Sequence, residues 1–109
     1  MESFVNILSL NVGLSNSLAG LPSLISSHSV DLVLLQEVRL GSIQLSNMLG
    51  SLGFKAESNI DSESPSAPGT AVAWRESLPV EEVFTIVQCK AQMVRLGSYA
   101  IIIEDVLES

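Results

Sequence analysis

The sequence predicts an α/β domain with a mixed sheet and two helices. Apolar runs bounded by turn residues alternate with helically spaced segments over the first half. Strand, helix, strand at that spacing is a crossover unit, expected to be right-handed and to join parallel strands. From Gly69 onward the apolar runs are strand-sized and broken by Leu78-Pro79 and Gly97-Ser98, as in an antiparallel meander.

The first strand is expected over Phe4 to Asn11. The turn from Gly13 to Ser17, rich in Gly, Ser and Asn, offers caps for a helix over residues 17–28, with Leu18, Leu21, Leu24 and Ile25 as its apolar positions. Pro22 confines the helix start, because proline is tolerated only in the first turn. His28 and Ser29 close the helix, and His28 is read as a C-terminal helix residue rather than a catalytic group. Val30 to Gln36 forms the second strand, apolar on both faces and so covered on both. Ser42 is expected to cap a second helix, with Ile43, Leu45, Met48, Leu49 and Leu52 as its stripe and Gly53 as its end. A short strand over residues 54–59 and a loop from Ile60 to Pro68 follow. Gly69 to Trp74, Val80 to Val87, Gln92 to Leu96 and Tyr99 to Ile103 make up the meander.

The bulk properties bound the function. At 109 residues, 47% hydrophobic and 16% charged, the chain fits one small domain with a core. No apolar run reaches the ~18 residues of a membrane span, so no membrane partner is expected. The start Met1-Glu2-Ser3-Phe4 lacks a basic signal-peptide region, and the expected localisation is intracellular, nuclear or cytoplasmic. The single cysteine, Cys89, is read as a small filler in or near a strand. Net charge is −7, from 12 acids and five bases (Arg39, Lys55, Arg75, Lys90 and Arg95), no two of them adjacent. That leaves no basic stripe for a phosphate backbone. Nucleic-acid binding by this acidic chain is expected to be weak or absent, unless a metal ion bridges the two anions.

Two polar residues stand where open α/β sheets place ligands, at the carboxyl ends of strands. Asn11 ends Ser9-Leu10-Asn11, and Glu37 ends Asp31-Leu32-Val33-Leu34-Leu35-Gln36-Glu37. A carboxylate there is a hard oxygen ligand of the kind Mg²⁺ prefers. A neutral amide can orient a phosphate oxygen or a metal-bound water without adding charge. Parallel pairing would bring the two together. The turn at Gly13 could cradle a phosphate, though it matches no glycine-rich phosphate motif.

The strings LSLNVGLSN, DLVLLQEVRL, LGF and GTAVAW resemble the start of the endonuclease/exonuclease/phosphatase superfamily. Within it they most resemble the apurinic-type endonuclease domains of LINE-like (non-LTR) retrotransposons. The resemblance runs from Val5 to Ile102 and is most specific at Gln36-Glu37. It implies the N-terminal half of a four-layer, DNase I-like α/β sandwich. It implies that Asn11 corresponds to the active-site asparagine and Glu37 to the glutamate that binds Mg²⁺, or Mn²⁺. Arg39 falls where the family often has a basic or polar residue near the phosphates. DNA is the partner implied for the intact domain.

The chain also departs from that pattern. Gly13 stands where a second Asn or Asp is usual. The later Tyr-Ala-Pro, Gly-Asp-x-Asn and Ser-Asp-His segments do not occur, and Glu104-Asp105-Val106-Leu107-Glu108-Ser109 follows the last strand. The expectation is a truncated domain over residues 4–103 and an atypical acidic tail over 104–109. Without the general base and catalytic histidine the chain by itself is expected to be inactive. An inner sheet face lacking its partner is expected to promote self-association. Two alternatives stay open: an RNA or lipid phosphoesterase fragment of the same superfamily, and a non-enzymatic module that joins another chain through its open sheet.

Overall fold

The computed structural model describes residues 5–13, 18–60, 69–86, 91–97 and 99–104. The start of the first expected strand at Phe4, most of the turn after Gly13, most of the loop before Gly69, Cys89 and the end of the acidic tail lie outside the described residues.

Strand β1 (Ile7–Asn11) leads through helix α1 (Leu21–His28) to β2 (Leu32–Val38). Helix α2 (Ser42–Gly50) and β3 (Phe54–Ser58) follow, then β4 (Gly69–Arg75), β5 (Glu82–Ile86), β6 (Ala91–Leu96) and β7 (Tyr99–Glu104). A four-stranded sheet has the order β1-β2-β4-β3, and a three-stranded sheet the order β5-β6-β7. β1 and β2 are parallel, with Asn11 beside Gln36, and β4 is antiparallel to both β2 and β3. The sheet is mixed, as expected. The meander is real only for β5 to β7. β4, expected to begin it, instead inserts between β2 and β3.

The helix starts differ from their sequence signals: α1 begins later and α2 one residue earlier. Gly20, not a residue of the preceding turn, is the N-cap of α1, with Pro22 in the first turn and no side-chain cap. The N-cap of α2 is Gly41, so Ser42 is already helical. At the other end of α1 the expectation holds: Ser29 adopts a left-handed conformation (φ 50°) and its N–H donates to Ile25 O.

Two apolar layers sandwich the first sheet. On the helix side, Leu21 and Ile25 of α1 and Leu45 and Leu49 of α2 pack on Val33, Leu35 and Val38 of β2, with Ala71 and Ala73 of β4. The two alanines keep that face of β4 low, which leaves room for helix side chains. On the opposite side, Leu32, Leu34 and Val72 are buried against Trp74, Leu78, Val80, Val83 and Ile101. The second sheet thus covers the inner face of β2 and β4, which was expected to be bare, while Ile7 on the same face of β1 stays exposed. Large apolar side chains remain exposed at Ile7, Leu24, Ile43 and Ile102. Ile43, expected in the buried stripe of α2, is therefore a surface residue.

The amino end of β2 is held by a polar clasp. Asn6 N–H donates to Asp31 Oδ2 (3.0 Å), and its amide donates to Ser29 O (2.9 Å). Arg75 Nε donates to Val30 O (2.8 Å) and stands 3.6 Å from Asp31 Oδ1. The Arg75 guanidinium also lies 5.0 Å from the centre of the Phe54 ring. These contacts join β1, α1, β2, β3 and β4 at the end of the sheet opposite Asn11 and Glu37. No helix of the described residues is long and apolar enough to cross a membrane.

Candidate metal and phosphate site

Asn11 is the last residue of β1 and is exposed. Glu37 is half-buried and lies inside β2, which runs on to Val38 rather than ending at Gln36. The cause of its placement is a bulge. Leu35 pairs with Ala71 and Val38 with Gly69, so Gln36 and Glu37 together oppose Thr70 alone. Regular alternation from Val33 and Leu35 would aim Glu37 into the helix-side core. The extra residue puts Val38 there instead, fully buried, and leaves Glu37 outside it. Glu37 accommodates the bulge at φ 53°, in the left-handed region that residues with a Cβ seldom occupy. Strained conformations of this sort concentrate at functional sites.

Gly13 completes the geometry. Its φ is 67°, and a Cβ added to it would stand 3.6 Å from Asn11 Oδ1 and 3.8 Å from Glu37 Oε2. Both oxygens therefore border one small space above the parallel pair. The main chain between them is tied down, with Val12 N–H donating to Gln36 O (2.9 Å). Glycine suits this position because a residue with a Cβ would be strained at that φ.

The donor set fits a hard divalent cation held lightly. One carboxylate and one amide oxygen converge, and no group of three or more His, Cys, Asp or Glu that could hold a metal occurs among the described residues. Mg²⁺ is commonly bound by one or two carboxylates while keeping several waters for substrate phosphate oxygens to replace. When bound, such an ion supplies Lewis-acid stabilisation of charge on a phosphoryl oxygen. In this arrangement Glu37 would contribute the anionic ligand, and Asn11 an amide able to hold a water or a phosphate oxygen. Arg39 lies one residue beyond β2 and is exposed. It shares this end of the sheet with Asn11 and Glu37. His28 closes α1, at the far end of β1 from the pair, in keeping with its reading as a helix-terminal residue.

A buried polar network beside this site carries no local signal in the sequence. Thr70, which faces the bulge, has its N–H bonded to Asn59 Oδ1 (2.8 Å) and its hydroxyl to Gln92 Oε1 (2.8 Å). Asn59 Nδ2 donates to the Thr70 hydroxyl (2.9 Å), and Gln92 Nε2 to Glu57 O (3.1 Å). Each of the three reads separately as an ordinary turn or strand residue. Their separation in the chain leaves no local signal that could unite them.

A mixed sheet faced by helices on one side and a second sheet on the other, with polar residues at the carboxyl ends of its parallel pair, defines a DNase I-like α/β architecture. No family model matches the sequence, and no curated protein does. Solved structures match in fold. D. rerio TDP2 complexed with a single-strand DNA product has a TM-score of 0.60 at 18% identity, over 93% of this chain and 44% of that one. The endonuclease domain of TRAS1, a telomere-specific non-LTR retrotransposon, has a TM-score of 0.51 at 14% identity, over 91% and 42%. ANGEL2, a 2',3'-cyclic phosphatase, has a TM-score of 0.52 at 18% identity, over 84% and 31%. The fold of this chain is that of part of a DNase I-like domain, and the chain spans less than half the length of these structures.

Proposed function

We propose that the chain is part of a divalent-metal-dependent phosphodiesterase domain, in which Glu37 and Asn11 hold Mg²⁺ or Mn²⁺ against a substrate phosphate. The observation that carries this reading is the convergence of Asn11 Oδ1 and Glu37 Oε2 on the space beside Gly13, reached by a strained bulge. DNA is the substrate class we favour, because one structure of this fold holds a DNA product and another is a retrotransposon endonuclease. Arg39 is assigned a supporting role toward phosphate.

Residues 4–103 form the domain portion in this reading, and the chain alone turns over phosphodiesters negligibly. Asn11 and Glu37 supply a ligand set but no general base, whose loss commonly lowers rates ~10²–10⁴-fold. Ile7 on the free edge of β1 and Ile102 on β7 are exposed apolar residues through which copies of the chain can associate.

Metal binding is tested by thermal shift with Mn²⁺ and Mg²⁺. A cation present at 100 times its dissociation constant stabilises by about 2.7 kcal/mol, and Glu37→Ala should erase that gain. An equal shift in the variant would overturn the metal assignment. Plasmid nicking in the presence of Mg²⁺ tests inactivity: turnover that vanishes in Glu37→Ala would refute it and retain the site. Size-exclusion chromatography tests association, and a sharp monomer peak counts against it.

A further inference from the structure

Glu37 sits in a conformation that cannot hold itself, so something across the sheet must define the bulge. Two pairs frame it, Leu35 with Ala71 and Val38 with Gly69, and the residue between them on β4 is Thr70. Thr70 is completely buried, and Gln92 nearly so. Thr70 makes four polar bonds away from β2. Its N–H and its C=O both engage Asn59, through the side chain (2.8 Å) and the main chain (3.2 Å). Its hydroxyl accepts from Asn59 Nδ2 and donates to Gln92 Oε1 on β6. Gln92 in turn donates to Glu57 O on β3. The chain of bonds therefore runs from Asn59, just past β3, through β4 to the second sheet and back to β3.

The packing around it is close. A Cβ on Gly69 would collide with Asn59 Oδ1 and lie 2.9 Å from Ile60 Cγ1. Residue 69 must be glycine for Asn59 to close over the start of β4. That glycine is itself the partner of Val38, the residue immediately after Glu37.

We infer that Asn59, Thr70 and Gln92 are positioning residues: they fix the start of β4 so that the bulge opposite Thr70 aims the Glu37 carboxylate at Asn11. The inference rests on the metal-site reading above and extends it to residues that touch neither metal nor substrate. A network with all its bonds made holds one geometry, whereas a partly broken one leaves buried polar groups that move to find partners. Residues that orient a metal ligand from behind commonly change metal affinity ~10–100-fold when replaced.

The test is Mn²⁺ binding to the chain, read as free Mn²⁺ by electron paramagnetic resonance, beside the melting temperature of each variant. Thr70→Val keeps the branched shape and removes the hydroxyl, and it should raise the dissociation constant ~10-fold or more. Thr70→Ser retains the hydroxyl and should restore binding close to that of the original chain. Gln92→Met breaks the far link and should weaken binding in the same direction by a smaller factor. Leu49→Ala, in the core beneath α2, serves as a variant of comparable destabilisation that leaves the bulge alone.

Should Thr70→Val bind Mn²⁺ no worse than Leu49→Ala, the positioning role is overturned while the metal site stands. Should Glu37→Ala bind as well as the original chain, the metal-site reading itself fails and takes this inference with it. If Thr70→Val does not fold, Gln92→Met decides by the same comparison.

Discussion

Replacing Glu37 by glycine and by alanine separates the strain at this position from its chemistry. Both substitutions remove the carboxylate, and they differ only in the Cβ. At most positions in a strand or helix glycine is the worse of the two by ~0.5–1 kcal/mol, because it loses more freedom on folding. Residue 37 has φ 53°, where a residue with a Cβ pays ~1–2 kcal/mol that glycine avoids. The difference reverses the usual order, leaving Glu37→Gly the more stable by about 0.5–1 kcal/mol. For a chain of this size that corresponds to a melting temperature about 2–6 °C higher than for Glu37→Ala. Urea denaturation of the two variants side by side measures it, with equal slopes as the sign that only the midpoint has moved. Neither variant should bind Mn²⁺. If Glu37→Gly is the less stable of the pair, residue 37 is not left-handed in solution, and the account of how the carboxylate is aimed falls with it.

The remaining predictions probe the packing. Leu35→Ala should lose ~2–5 kcal/mol in a denaturation midpoint assay, since Leu35 is completely buried between β1, β4 and the helices, whereas Ile102→Ala should stay within ~0.5 kcal/mol. Asp31→Ala removes the acceptor of Asn6 N–H and the partner of Arg75, and should cost about 1–2 kcal/mol by the same assay without altering Mn²⁺ binding. Gly69→Ala forces its Cβ against Asn59 and Ile60 and should cost about 1–3 kcal/mol, with a weaker Mn²⁺ site.

Much of this architecture was legible because its signals are local. Val30 to Gln36 reads as apolar on both faces, and β2 lies in the middle of the sheet, covered on both. The parallel pairing of β1 and β2 follows from the length of the segment between them. Partner choice was not legible. Gly69 to Trp74 looks like any strand before a meander, and its insertion between β2 and β3 depends on contacts remote in sequence, among them Ala71 and Ala73 under the helices. Helix starts were misjudged for a related reason: Ser17 and Ser42 are capable caps, but tertiary packing of Leu21, Leu45 and Leu49 sets the boundaries, with glycines at the caps.

The bulge shows most clearly what a residue string conceals. Leu35-Gln36-Glu37-Val38 can be read as a regular strand in which Glu37 follows Leu35 onto the same face. That arrangement would bury a carboxylate among apolar side chains, at a penalty of several kcal/mol unless it is paired. Inserting one residue instead buries Val38, which contributes ~1.5–3 kcal/mol, against a left-handed residue that costs ~1–2 kcal/mol. The two magnitudes are close. The apolar residue after Glu37 thus does as much to place the carboxylate as any polar neighbour does. Val38→Ala accordingly should weaken Mn²⁺ binding as well as stability, although Val38 faces the opposite way. In a competing account Glu37 is held only by its polar surroundings, and Val38→Ala would then lower the melting temperature with no change in the Mn²⁺ dissociation constant.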